Sequence, residues 1–353
     1  MKLQIGNKTI GEDSPTFIIA EAGVNHNGQM DLAKKLVDEA IKAGADAVKF
    51  QIFNTRSLIR LDAPKAPYQS RNIGEAKSQL DMLEELELSR DKIVELKKYC
   101  DEKGILFLVT LYDIEALELM ESLNCLFYKL ASIDIVNHPW IKQIAKTGKP
   151  LIVAVGLATE EEIKAAVEAF VSVAGKPDNL ILLQCNTNYP AKTEEQNLRV
   201  MGSVLKKYVP IVGFSDHSVG NVASIASVAL GASVIERHFT LDKTMVGPDH
   251  KASYDPAELT QFIKDVRMTE AALGNGIKDG PTAGEKENIV GVRRSICAKI
   301  DIAKGTTLTM EMLAFKRPGD GLSPMDKNIV QLVGKTAARD IKADENILVK
   351  DLS

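Results

Sequence analysis

Eight short apolar runs, separated by segments of helical periodicity, narrow most sharply what this chain can fold into. They occupy 17–20, 47–50, 105–109, 126–130, 151–155, 180–183, 211–214 and 234–236. Most are rich in Val, Ile, Leu and Phe and lack the polar alternation of a half-exposed strand, as strands covered on both faces require. After the first run, Leu32, Ala33, Leu36, Val37, Ala40 and Ile41 recur at helical spacing, and Gly44 ends the helix. Further helices are expected over 163–171, 222–230 and 256–273. Such alternation builds a parallel sheet with right-handed crossovers. Eight units within about 270 residues match a closed (β/α)8 TIM barrel in count and length. No Gly-x-Gly-x-x-Gly follows the first run, so an open dinucleotide-binding sheet has little support. The polar, proline-containing stretch 58–87 reads either as a loop over a site or as an excursion without function.

Beyond Leu273 the texture changes. Gly274-Asn275-Gly276 and Asp279-Gly280-Pro281-Thr282-Ala283-Gly284 read as a linker. Farther on, 301–308 and 340–347 echo one another, each followed by an acidic residue and then Leu (Leu313, Leu352). Two such strand–turn–strand pieces form a compact β-rich unit of roughly sixty residues, small enough to lean on another surface. The expected division is therefore a barrel domain over 1–275, a linker over 276–292 and a small domain over 293–353.

Composition excludes several classes. Of 353 residues, 45% are hydrophobic and 26% charged, the balance of a soluble enzyme. A net charge of -4 gives no general attraction to nucleic acid, and an anionic substrate needs a local cluster of Lys and Arg. No apolar stretch spans a bilayer, and the amino-terminal residues lack the apolar core of a secretory signal. Cys100, Cys125, Cys185 and Cys297 lie far apart without Cys-x-x-Cys spacing. Read as buried thiols, they fit a reducing cytoplasm.

In barrels of this kind the chemistry sits where strands end. The first run leads to Glu21, the second carries Lys49 and Gln51, the third ends in Thr110, and the fourth carries Lys129 and Ser132. The sixth continues to Cys185 and Tyr189, the seventh to Ser215 and His217, and the eighth to Glu236 and His238. Only the fifth, ending Ala154-Val155-Gly156, is bare of polar side chains. Lysines inside apolar strands demand an anion or an acid partner. Lys49 and Lys129 thus read as a pocket for phosphate and carboxylate, or as partners of a barrel carboxylate such as Glu236. His217 and His238, ending neighbouring strands, read as a two-imidazole metal site, or His217 merely accompanies a helix start. His26 is expected to support the loop around Asn25 and Gly28, His138 to sit in a turn and His250 at the surface.

Glu21-Ala22-Gly23-Val24-Asn25-His26-Asn27-Gly28, Lys49-Phe50-Gln51, Phe214-Ser215-Asp216-His217, Glu236-Arg237-His238-Phe239-Thr240 and Gly247-Pro248-Asp249-His250 resemble the N-acetylneuraminate (sialic acid) synthase family. Lys316-Arg317-Pro318-Gly319-Asp320-Gly321 resembles its carboxyl-terminal antifreeze-like (SAF) domain. The resemblance implies a (β/α)8 barrel with that small domain, assembled as a domain-swapped homodimer. It implies that phosphoenolpyruvate is held by Lys49, Thr110, Lys129, Ser132 and Ser215. His217 and His238 would bind Mn2+ or Mg2+, and Glu21 would handle a proton or orient the aldehyde. Glu21, Gln51, Tyr189 and Asp249 would contact an N-acetylated amino sugar, with Arg317 reaching across from the other subunit. The implied reaction joins phosphoenolpyruvate and water to N-acetylmannosamine or a 2,4-diacetamido hexose, releasing phosphate.

The chain departs from the family where Ala154-Val155 stands for two hydroxyl residues, which weakens the expected grip on phosphate; an amide near Gly156 is the expected compensation. Two further readings stand beside the synthase. One is a Schiff-base aldolase using Lys49 or Lys129, and the other a sugar-binding homologue without turnover.

Overall fold

In the computed structural model, which describes residues 1–353, the chain divides into two compact units, Met1–Gly274 and Asn275–Ser353. The first opens with a hairpin, β1 (Lys2–Ile5) and β2 (Lys8–Gly11). Eight parallel strands follow: β3 (Phe17–Gly23), β4 (Ala47–Ile52), β5 (Leu106–Leu111), β6 (Tyr128–Leu130), β7 (Leu151–Ala154), β8 (Leu180–Cys185), β9 (Ile211–Asp216) and β10 (Val234–His238). They close in chain order, with β10 pairing β3. The fold is the TIM barrel expected from the alternation, and six of the strands run on past their apolar runs into the polar residues that follow.

Alternation along each strand sorts the side chains into two populations. Ile18, Ala20, Val48, Phe50, Val109, Leu130, Val153, Leu182, Phe214 and Ile235 belong to the outer core, packed with helices such as Met30–Ala43 and Pro256–Leu273. Phe17, Ile19, Ala47, Leu108, Phe127, Ile152, Ile181, Leu183, Ile211 and Val234 fill the lower barrel. Ile5 and Ile10 of the hairpin join that inner cluster, so β1 and β2 stopper the amino-terminal end. Nothing in their four-residue length announced this role. Gly213 is required inside the barrel, because a Cβ there would come within 2.2 Å of the Val234 carbonyl.

Apolar side chains fill the barrel only to mid-height. Above them the inward positions are Glu21, Lys49, Thr110, Lys129, Ser215 and Glu236, all buried. The insertion between β4 and β5 is not a bare loop. It forms short helices Thr55–Leu58, Pro67–Ile73 and Gln79–Leu86. Met82, Leu83 and Leu86 pack with Val24 and Phe53 in a separate apolar cluster that also takes in Ile73 and Tyr112.

The second unit contains helix Ala283–Val292, capped by Thr282, within the stretch read as a linker. Strands β11 (Ser295–Ala298) and β12 (Leu313–Lys316) pair antiparallel. The two echoing segments meet each other: Ile302 bridges Ile341, and both are buried. Asp301 accepts the Ala343 amide at 2.8 Å while Asp340 accepts the Lys304 amide at 2.7 Å, a reciprocal clasp that explains the repeat.

Candidate active site

Register decides which polar residues meet. Glu21 pairs with Lys49 across β3 and β4, and with His238 across β3 and β10. Thr110 pairs with Gln51 and with Lys129, while Ser215 pairs with Cys185 and with Glu236. These side chains, with Ser132, Tyr112, Ala154, Tyr189 and His217, line a pocket at the carboxyl ends of the strands enclosing about 60 Å³. A wider hollow of about 490 Å³ lies at the opposite end, beside Thr16 and Glu270, without a comparable set of groups.

At the centre are four charges of alternating sign. Lys49 Nζ lies 2.8 Å from Glu21 Oε2 and 3.7 Å from Glu236 Oε2, and it donates to Thr110 Oγ1 at 2.6 Å. Lys129 Nζ is 3.6 Å from Glu236 Oε1, which also accepts from Ser215 Oγ at 3.0 Å. The lysines therefore both face the pocket and pair with barrel carboxylates; the two readings do not exclude each other. Burial works against the charge on Lys49, but Glu21 and Glu236 outweigh it and hold the pKa above the ordinary lysine value. Burial wins at Lys129, whose pKa falls. Burial raises Glu21, whereas at Glu236 the two lysines overcome burial and keep it ionised.

The two imidazoles are neighbours, their ring centroids 5.3 Å apart. Nδ1 of His217 lies 2.5 Å from the Asn186 carbonyl, which can only accept, so Nδ1 carries a proton and Nε2 remains for a proton or a cation. Burial depresses His238 well below the ordinary value, keeping it neutral, and its Nδ1 has no hydrogen-bond partner. No set of three or more His, Cys, Asp or Glu side chains converges on one point. The pocket thus offers two imidazoles and leaves other coordination positions to oxygen ligands from outside the chain. That donor set fits an open divalent-metal site.

Remaining residues fall around this centre. Gln51 Nε2 donates to Glu21 Oε1 at 3.3 Å. Tyr189 stacks on His217 at 4.1 Å between ring centroids. Asp249, buried with Oδ1 unpaired, is pushed up to about 6, first by burial and then by the charge of Glu21. Gly156 donates its amide to Ser132 Oγ at 3.0 Å, so it orients the serine hydroxyl. A Cβ at position 156 would come within 2.8 Å of that oxygen. Of the two hydroxyl positions missing from the fifth run, only Ala154 lines the pocket; Val155 packs into the outer core. Arg317 stands exposed in the second unit.

His26 holds the Gly28 amide at 3.0 Å, inside its own loop, and His138 opens a helix capped by Asn137. The surface expectation for His250 is corrected. It is fully buried, bound to Thr240 Oγ1 at 2.7 Å and to Asn27 Oδ1 at 3.1 Å, because two loops close over it. Cys185, at the end of β8 where the sixth run leads, lines the pocket with Sγ 3.7 Å from His217 Nδ1. Tyr68, from the insertion, stacks on Tyr189 at 4.8 Å; no periodicity links that polar stretch to the barrel.

Comparison with known proteins places this geometry in context. The NeuB family model matches residues 36–278, and the SAF domain model matches 293–353. The chain is 44% identical over 332 residues to the N,N'-diacetyllegionaminic acid synthase of Campylobacter jejuni, covering 94% of this chain and 98% of that protein. It is 38% identical to the enzyme of the same name from Legionella pneumophila, covering 97% and 96%. The crystal structure of N-acetylneuraminic acid (sialic acid) synthetase from Leptospira borgpetersenii superposes with a TM-score of 0.71 at 34% identity, over 82% of this chain and 95% of that one.

Proposed function

The chain belongs to the NeuB family, and from that premise we propose that it is a sialic-acid-type synthase joining phosphoenolpyruvate to an N-acetylated amino sugar. The observation that carries this reading is the convergence of two buried lysines, two buried carboxylates and two imidazoles on one small pocket. It is a transferase that forms a carbon–carbon bond. Among acceptors, a 2,4-diacetamido hexose is favoured over N-acetylmannosamine by the names of its relatives.

Lys49 and Lys129, with Thr110, Ser132 and Ser215, are assigned to the phosphate and carboxylate of the donor. An arriving trianion faces ammonium groups whose own counter-ions, Glu21 and Glu236, are already in place. Burial already raises the pKa of Glu21, and the added negative charge of the donor raises it further, which favours uptake of a proton by its carboxylate. The donor methylene then attacks the sugar aldehyde carbon, and Glu21 delivers its proton to the oxygen that becomes a hydroxyl. The former enol carbon, left electron-deficient, takes up water and loses a proton. Collapse of that tetrahedral centre breaks the C–O bond and expels phosphate. Gln51, Tyr189 and Asp249 are assigned to the acceptor. His217 and His238 would hold Mn2+ or Mg2+, which when bound polarises the aldehyde oxygen as a Lewis acid.

We further assign barrel, linker and SAF domain to 1–275, 276–292 and 293–353. The active form is read as a domain-swapped homodimer in which Arg317 of one protomer serves the partner's acceptor site. Supporting that reading, Leu157, Val219 and Val246, in loops at the barrel mouth, and Val222, at the start of the helix after β9, are all more than two-thirds exposed. No helix is long and apolar enough to cross a membrane; four buried cysteines, none in a disulfide, support a cytoplasmic assignment. Phosphate release that requires phosphoenolpyruvate, sugar and manganese together, with product identified by mass, tests the synthase. No release with any acetamido sugar defeats it. The depressed pKa of Lys129 favours one alternative, a Schiff-base aldolase. Under that reading pyruvate and borohydride trap an adduct, and a chelator has no effect.

A further inference from the structure

We infer that Tyr68, on helix Pro67–Ile73 of the β4–β5 insertion, is the outer wall of the acceptor subsite and helps decide which acetamido sugar is accepted. The inference rests on the synthase reading above. Tyr68, Tyr189 and His217 form a continuous stack: 4.8 Å and 31° between the first two rings, 4.1 Å and 32° between the second and third. Tyr189 lines the pocket and covers one face of His217, and Tyr68 covers Tyr189 in turn, so the stack forms one side of the approach to the imidazole.

The helix carrying Tyr68 is tied to the opposite side of the mouth. Asn72 Nδ2 donates to the Pro248 carbonyl at 2.6 Å, one residue before Asp249. Ile73 anchors the helix in the cluster formed by Met82, Leu86, Phe53 and Val24. The insertion thus bridges the loop after β8 and the loop after β10, and Tyr68 is held against the site from both. Its phenol is half-buried, and the charge bearing most strongly on it is Asp249's carboxyl. Aromatic faces beside a carboxylate suit the CH faces of a sugar and the methyl of an acetamido group, whereas a phosphorylated edge meets like charge.

Steady-state kinetics of the full-length enzyme with a 2,4-diacetamido hexose, N-acetylmannosamine and its 6-phosphate test the wall. Y68A and Y68L raise the acceptor KM on the order of tenfold while the phosphoenolpyruvate KM moves less than twofold. Y68F, which keeps the ring, brings the acceptor KM back toward the wild-type value. R60A, on an exposed ion pair of the same insertion, changes neither. The unchanged donor KM reports that the variants are folded. If both Tyr68 variants keep their acceptor KM within twofold, or if donor and acceptor KM rise together, Tyr68 is no wall. Preference of the wild type for the 6-phosphate also overturns it. A wild-type enzyme inactive with every sugar sinks the synthase reading itself, a result distinct from an active enzyme indifferent to Tyr68.

Discussion

Nζ of Lys49 lies 2.8 Å from Oε2 of Glu21, with both side chains shut off from solvent. Removing one member of such a pair strands the other charge, which costs about 3–5 kcal/mol. K49M should therefore lower the urea midpoint markedly, and K49M combined with E21Q should recover part of the loss. E21Q alone keeps the shape of the side chain but not its proton chemistry. Its kcat should fall about 10²–10⁴-fold with smaller changes in either KM. Equal activity of E21Q and wild type would remove Glu21 from the proton's route.

H217N and H238N should abolish manganese-dependent turnover while leaving the melting temperature within a few degrees. Direct titration of manganese, followed by its electron paramagnetic resonance signal, should show weaker binding in each. Burial keeps His238 neutral, whereas the pKa of His217 is raised, as the nearby Cys185 and the Asn186 carbonyl outweigh burial. A proton therefore competes at His217, and manganese affinity should decline as pH falls. Affinity independent of pH and of both histidines would place the metal elsewhere.

A154S puts a hydroxyl back on the pocket wall. A hydrogen bond to a charged group contributes about 1.5–3 kcal/mol, so the phosphoenolpyruvate KM should fall about tenfold or more. V155T faces the outer core and should leave that KM unchanged. G156A pushes against Ser132 Oγ and Thr187 Cγ2 and should raise it. A fall in KM with V155T instead would mean the strand is turned the other way.

Asp249 stands at about 6, against 3.8 for an ordinary aspartate. Its folded pKa is raised, so the ionised form is disfavoured in the native state. The penalty is absent below about pH 4, grows through the window up to 6 and is complete above it. At 1.36 kcal/mol per unit the upper bound is about 3 kcal/mol. D249N should consequently be more stable than wild type at pH 7.5 and indistinguishable at pH 3.5, by denaturant midpoint. If Asp249 accepts a hydrogen bond from the sugar, the acceptor KM of the wild type should rise below pH 6 and that of D249N should not.

The barrel was legible because strands covered on both faces need unbroken apolar runs, and the runs stop where Glu21, Gln51, Thr110 and Ser215 begin. Periodicity places a side chain on a strand or helix and can even say which end it occupies. Chain order alone therefore supplied eight strands, a polar rim and the histidine pair. Contacts between segments far apart in sequence carry no such signature. Only folding brought Tyr68 onto Tyr189, stoppered the barrel with Ile5 and Ile10, buried His250 beneath two loops and turned Ala154 inward but Val155 outward. The physical reason is that a local pattern records which face of an element is apolar, while the register of neighbouring strands and the closure of loops decide what that face meets.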